Sequence, residues 1–168
     1  MRKEIRSPFE SKKNWLIVSD RNDDQANSFY NKINQVSKSF GITIPSNQDI
    51  KFERYNLKSR DKDEIMEFIK EIPNVERMDL VIVILSDRTQ DHYKYIKRLL
   101  NERLGIPSQI VRSNNFSKDL SYFSNIVLQI NVKLGGESYH LNFDNKELTQ
   151  IVILYIFNFN IGDDDCWI

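Results

Sequence analysis

Residues that cross-link chains or bind metals are scarce in this sequence. Its 168 residues include one cysteine, Cys166, and two histidines, His92 and His140. A single cysteine excludes an intramolecular disulfide and a cysteine-rich zinc site. Two histidines are too few to favour a His-based metal site. We expect both of them at the surface. Four prolines and five glycines exclude collagen-like and proline-rich low-complexity chains.

Net charge and long apolar segments are also absent. The 24 basic and 24 acidic residues cancel, which excludes a uniformly basic coat for nucleic acid but not a local basic pocket. The longest apolar run, residues 151–157, is too short for a membrane-spanning helix of about 20 residues. Residues 1–14 are basic and polar and lack the apolar core of a secretory signal. We therefore expect an intracellular protein, cytoplasmic or nuclear, without a membrane partner.

Short apolar segments alternate with helical patterns over the first 136 residues. The expected strands are residues 15–20, 51–56, 79–86 and 109–112, and the expected helices are residues 23–40, 59–72, 91–104 and 120–134. This order is typical of an α/β, Rossmann-like domain with a mainly parallel four-stranded sheet flanked by helices. Ligands of such sheets bind at the carboxyl ends of the strands, so we expect the loop after Ser86 and the residues around Gln109 near that edge.

Four residues have the side chains that a nucleoside monophosphate requires. Tyr93 and Lys97 stand at positions i and i+4 of the third expected helix, which places them on one face. Gln109 begins the next strand, and Lys133 ends the last helix. An aromatic ring stacks on a base, lysines neutralise a phosphate, and an amide donates a further hydrogen bond. The spacing alone is weak evidence, because Tyr-x-x-x-Lys occurs by chance in many helices.

Several motifs resemble the MID domain of Argonaute/Piwi proteins. They are the strand Val81–Leu85, the segments Tyr93–Arg98 and Pro107–Val111, and Ile130-Asn-Val-Lys-Leu-Gly-Gly136, which is the most specific. The segment Gly41-Ile-Thr-Ile-Pro45 resembles the Piwi branch. The resemblance implies an N-terminal linker at 1–14, a MID domain at 15–136 and an extension at 137–168 that is similar to the start of a PIWI domain.

The resemblance also implies a function and a role for each site residue. A MID domain anchors the 5′-phosphorylated end of a small guide RNA in RNA silencing. Tyr93 would then stack on the first base, and Lys97, Gln109 and Lys133 would hold the phosphate. Gln129, which stands where some relatives place a further lysine and others a glutamine, would complete the phosphate-binding set. The loop that reads the first base would consist of Ser86, Asp87, Arg88, Thr89 and Gln90, although the preferred base does not follow from these residues.

The parts of the family that cleave RNA have no match here. Residues 151–157 resemble the first strand of a PIWI domain, but no aspartate occupies the catalytic position there, Asp163–Asp165 come too late to match, and no PAZ domain is present. We therefore expect a monomer that binds single-stranded RNA and is not an enzyme. We expect no resident cofactor or metal, with Mg²⁺ entering only alongside a bound 5′ phosphate.

Two other functions stay open at this point. A phosphate-transferring α/β enzyme is disfavoured, because the sequence contains neither G-x-x-x-x-G-K-[ST] nor G-x-G-x-x-G. A protein-interaction module, or a truncated Piwi remnant that has lost RNA binding, is the main alternative.

Overall fold

A parallel sheet of four strands organises the part of the chain that the computed structural model describes, which is residues 8, 14–19, 23–55, 62–86, 89–117 and 119–137. The strands are Trp15–Ser19 (β1), Lys51–Arg54 (β2), Leu80–Leu85 (β3) and Ser108–Arg112 (β4), in the order β2-β1-β3-β4. All three strand pairings are parallel. The predicted fold class is therefore confirmed. The expected linker and extension lie almost entirely outside the described residues.

Helices cover both faces of this sheet. They are Asp23–Ser39 (α1), Lys62–Glu71 (α2), Tyr93–Lys97 (α3) and Leu120–Lys133 (α4), joined by short 3₁₀ turns at Val75–Arg77, Gln90–His92 and Ser113–Ser117. Buried residues of α1 and α4 pack in one core cluster, and those of α2 and α3 pack in a second cluster. Successive residues of β3 alternate between the two clusters, as the six-residue apolar run predicts for a strand buried on both faces.

Glycines end the first and last helices where the sequence predicts. Gly41 follows α1 with φ of 71°, and the next amide, Ile42 N, donates to Ser37 O at 3.0 Å. A backbone reversal of this kind satisfies carbonyls that the helix leaves unpaired. Gly135 does the same after α4 with φ of 91°. A Cβ atom on the next residue, Gly136, would lie 2.2 Å from Asn131 Oδ1, so packing requires glycine there.

The third helix differs from the prediction of a uniform helix over 91–104. Its first turn is 3₁₀, its middle is α3, and residues Arg98–Arg103 form a π-helical segment. Leu104 N donates to Leu99 O, five residues back, as a π-helix requires. The wide turn leaves Leu99 and Leu100 both buried in the core. Gly105, with φ of 66°, then turns the chain towards β4.

Candidate phosphate-binding site

The start of β4 collects side chains from two helices. Lys97 approaches from α3, and Gln129 and Lys133 approach from the last two turns of α4. They meet Ser108 and Gln109, the first two residues of β4. The structure therefore brings together all four residues that the sequence assigned to the phosphate.

The position of this site in the sheet corrects the sequence analysis. Gln109 pairs with Ile82 and Ser108 pairs with Val81, so both lie beside the amino-terminal half of β3. The expectation of a place near the carboxyl ends of the strands was wrong for Gln109. The reason is that β4 begins at Ser108, directly after the Gly105–Pro107 turn. Because Lys133 ends α4 and bonds Ser108, the last turn of that helix also lies at the start of β4.

Both lysines donate to the same backbone carbonyl. Lys97 Nζ lies 3.2 Å from Ser108 O and 3.3 Å from Ser108 Oγ. Lys133 Nζ lies 2.8 Å from the same carbonyl oxygen. This oxygen is open to side-chain donors because β4 is an edge strand of the sheet. Among the described residues, neither lysine of the site pairs with a carboxylate, whereas Lys51 pairs with Glu53 and Arg98 pairs with Glu102.

Two glutamines extend this network. Gln109 is 6% exposed, and its Oε1 accepts a hydrogen bond from Lys133 Nζ at 2.5 Å. Its Nε2 donates to Gln129 Oε1 at 3.1 Å. The Gln109 amide is thus held in one orientation, with oxygen towards the lysine. Its NH₂ group carries a second hydrogen, which is the donor that the sequence analysis assigned to a phosphate.

The pKa values of both lysines are lowered, mainly by burial. Desolvation of the ammonium group and, as the smaller cause, the positive charge of Lys97 together lower the pKa of Lys133 to about 7. Burial also lowers the pKa of Lys97. Lys133 as a residue is exposed, but its Nζ is enclosed by protein oxygens that carry no full charge. Two ammonium groups without a carboxylate partner among the residues that the structure describes form a site that an anion would stabilise.

A cavity adjoins the lysines on the side of the π-helical segment. Its volume is about 250 Å³, and it opens to solvent. It is lined by Asn101, Gly105, Ile106, Pro107, Ser108 and Lys133. The sequence analysis gave no role to Asn101 or Ser108. The signal for Asn101 was its i+4 spacing from Lys97, which puts both on one helical face, and the signal for Ser108 was its place next to Gln109.

Tyr93 begins α3, one turn before Lys97. It is half-buried and packs against the core cluster formed with α2. Tyr95, two residues further, is 40% exposed. The stacking role of Tyr93 stays a prediction. His92, which was expected at the surface, is 4% exposed because the 3₁₀ turn before α3 folds it inward.

The expected base-reading loop follows the carboxyl end of β3. Ser86 and Thr89 are both buried, and Ser86 N donates to Thr89 Oγ1 at 3.0 Å. Thr89 N donates back to Ser86 O at 3.1 Å, so the two ends of the loop are held together. Asp87, Arg88 and the side chain of Gln90 lie outside the described residues. Within the ranges given above, no helix is long and apolar enough to cross a membrane, and no three His, Cys, Asp or Glu side chains group as metal ligands.

Known proteins resemble both the sequence and the fold. The Piwi domain family matches residues 80–162. Protein argonaute-3 of Drosophila melanogaster is 30% identical over 140 residues, which are 80% of this chain and 15% of that relative. The MID-PIWI domains of N. crassa QDE-2 share 18% identity with a TM-score of 0.68, covering 88% of this chain and 40% of that structure. The AGO5 MID domain of Arabidopsis thaliana shares 26% identity with a TM-score of 0.63, covering 82% and 99%.

These comparisons define the class of domain. The described residues have the parallel α/β fold of an Argonaute MID domain. They form a MID domain of the Argonaute/Piwi family, as the motifs in the sequence indicated. The chain spans 15% of the length of Protein argonaute-3 and of Piwi-like protein 1 of Gallus gallus, and 6–12% of other curated relatives.

Proposed function

We propose that this chain binds the 5′-phosphorylated end of a single-stranded small RNA and serves in RNA silencing. The observation that carries the proposal is the convergence of Lys97 and Lys133 on Ser108 O, with no carboxylate partner in the part of the chain that the structure describes. Such a pair is unfavourable without an anion, because two ammonium groups repel each other and are partly desolvated. Kinship with the Argonaute/Piwi proteins supports the choice of a small RNA over other phosphorylated molecules.

A terminal phosphate suits this site better than a phosphate within a chain. A terminal group carries close to two negative charges at neutral pH and offers three oxygens as acceptors. Two lysines can bond two of them with charge-assisted hydrogen bonds, and the second N–H of Gln109 can bond the third. In the ligand-free state Ser108 O holds both lysines, so the phosphate replaces one neutral oxygen with stronger acceptors.

Tyr93 is the proposed base-stacking residue, and the loop from Ser86 to Gln90 is proposed to face the first base. The position of Tyr93 supports both roles. Tyr93 begins α3 shortly after that loop, and it precedes Lys97 by one helical turn. Stacking on an aromatic ring is worth about 1–3 kcal/mol per base and tolerates any sequence.

We propose no catalytic role for the described residues, and we propose that the chain acts as an intracellular monomer. A resident metal is not part of the proposal. At this site Mg²⁺ would find hard oxygen ligands only after a phosphate is bound, because the side-chain oxygens of Gln109 and Gln129 already accept hydrogen bonds from Lys133 and Gln109. RNA binding without added Mg²⁺ is therefore expected.

The decisive experiment compares two short RNAs that differ only in a 5′ phosphate or a 5′ hydroxyl. The wild-type chain should prefer the phosphate by about tenfold or more, because charge-assisted hydrogen bonds contribute about 1.5–3 kcal/mol each. Lys97→Ala and Lys133→Ala should each remove most of this preference. Fluorescence anisotropy at fixed ionic strength measures all the affinities.

Lys38→Ala is the matched control. Lys38 is an exposed lysine in the last turn of α1, as Lys133 is in the last turn of α4. Its removal likewise deletes a lysine that interacts with the C-terminal dipole of a helix, but it does so away from the site, so the phosphate preference should not change. Equal affinity of the wild-type chain for both RNAs would refute the proposal and would favour a protein-interaction module instead.

A further inference from the structure

Asn101 contacts both Lys97 and Ser108, two of the residues that form the candidate phosphate-binding site. It lies in the π-helical segment, one turn after Lys97, and its amide is 2.7 Å from Ser108 Oγ. One orientation of the amide satisfies every neighbour. Nδ2 then donates to Ser108 Oγ and to Ile106 O at 3.2 Å, and Oδ1 accepts from Lys97 Nζ at 3.2 Å.

We propose that Asn101 is a positioning residue for 5′-phosphate binding, which holds Lys97 and Ser108 in place through its uncharged amide. This inference rests on the proposed function. It adds a residue outside the set of tyrosine, lysines and glutamines that the sequence analysis selected.

The geometry supports a positioning role because Asn101 contacts both partners of the shared hydrogen bond. Lys97 donates to Ser108 O, and Asn101 contacts the Lys97 ammonium and the Ser108 hydroxyl at the same time. Its further contact to Ile106 O holds the turn that precedes β4. Asn101 and Lys133 line the same cavity and both contact Ser108, so the lysine that Asn101 contacts stays beside the second lysine.

The lack of charge on Asn101 is essential to the inference. A neutral oxygen can hold the Lys97 ammonium without cancelling its charge, and the full charge stays available to an anion. A carboxylate at this position would have nearly the same shape and would also accept from Lys97 and Ser108. It would, however, neutralise the lysine and repel a phosphate.

The test uses Asn101→Ala and Asn101→Asp with the phosphorylated and hydroxyl RNAs. In Asn101→Ala, the ratio of the two affinities should fall about two- to tenfold, as expected for one lost hydrogen bond. In Asn101→Asp, the ratio should fall further, although the size and the hydrogen-bonding oxygen are kept. Affinity for the hydroxyl RNA should not change in the alanine variant.

A second readout separates positioning from a structural role. The Lys97 side chain can be titrated by NMR through its Cε signal. The pKa of Lys97 should fall in Asn101→Ala, which loses a neutral acceptor, and rise in Asn101→Asp, which gains an anion. Asn31→Ala on α1 is the control, because Asn31 is an exposed helical asparagine. Its affinity ratio and the Lys97 titration should match the wild type.

The possible failures are distinguishable. An affinity ratio close to the wild-type value in both Asn101 variants would overturn the inference about Asn101 and leave the proposed function standing. A wild-type chain without any preference for the phosphate would overturn both. Asn101→Asp keeps the oxygen that accepts from Lys97 but loses the donor to Ile106 O. Where the alanine variant unfolds, the Lys97 titration in the aspartate variant therefore decides the matter, and an unchanged pKa of Lys97 would overturn the inference.

Discussion

Raising the pH from 7 to 8 should weaken the binding of 5′-phosphorylated RNA, because Lys133 then loses its proton. Desolvation and the adjacent Lys97 lower the pKa of Lys133 from 10.5 to about 7 in the ligand-free chain. A bound phosphate raises the pKa of Lys133 again, because its negative charge favours the protonated ammonium. Formation of the complex near neutral pH should therefore take up a proton at Lys133.

The size of the effect follows from this pKa. The protonated fraction of Lys133 falls from about a half at pH 7 to about a tenth at pH 8. The complex contains the protonated form, so the affinity should fall by the same ratio, about fivefold. In the other direction, the phosphate loses its second charge below a pKa of about 6. The affinity for the phosphorylated end should therefore be greatest between about pH 6 and pH 7.

Two assays measure this prediction. Anisotropy titrations between pH 5.5 and 8.5 at fixed ionic strength give the affinity of each RNA, and the hydroxyl RNA should show a much flatter profile. Isothermal titration calorimetry at pH 7 in PIPES and in Tris gives the number of protons taken up, because the two buffers differ in ionisation enthalpy. We expect about half a proton at Lys133, with any contribution from Lys97 in the same direction.

Lys133→Arg provides the internal control. Arginine stays protonated over the whole range, so this variant should still prefer the phosphate but should lose the decline above pH 7. A flat wild-type profile between pH 6.5 and 8.5 would refute the reasoning. So would an arginine variant that declines as steeply as the wild type, because the proton would then belong to another group.

Two further predictions concern packing and stacking. Gly136→Ala should lower the free energy of unfolding by about 1–3 kcal/mol in urea denaturation, because the new Cβ would lie 2.2 Å from Asn131 Oδ1. An unchanged denaturation midpoint would contradict this. Adding Asn131→Ala should reduce the loss, because it removes the atom that the Cβ would meet. Tyr93→Ala should weaken both RNAs about equally, by roughly five- to a hundredfold, since stacking ignores the phosphate. Tyr95→Ala is its control on the same helix, and a loss confined to the phosphorylated RNA would argue against stacking.

The elements of the fold were predictable where the signal is local. Leu80–Leu85 is apolar throughout, which is typical of a strand in a parallel sheet whose two faces are both covered by helices. Gly41 and Gly135 stop helices because their positive φ is accessible to glycine at low cost. In each case the deciding interactions lie within a few residues of the signal.

The helix type around Lys97 was not predictable in the same way. The apolar spacing of residues 91–104 fits an ordinary helix, and the π-helical turn at Arg98–Arg103 leaves no mark in that pattern. It arises in the packed domain, where Leu99 and Leu100 are both buried and Gly105 turns the chain back. That turn brings Asn101 into contact with Ser108, and helical spacing alone does not predict this contact.

Composition, apolar runs and glycine positions thus determined the order of strands and helices in this protein, and motif resemblance selected the residues of the site. Only the tertiary structure decided that the site lies at the start of β4 and that two lysines share the carbonyl of Ser108. It also lowers the pKa of Lys133 towards neutrality. These properties depend on groups that are distant in sequence and on how much water reaches them, and both are set when α3 and α4 pack against the edge strand.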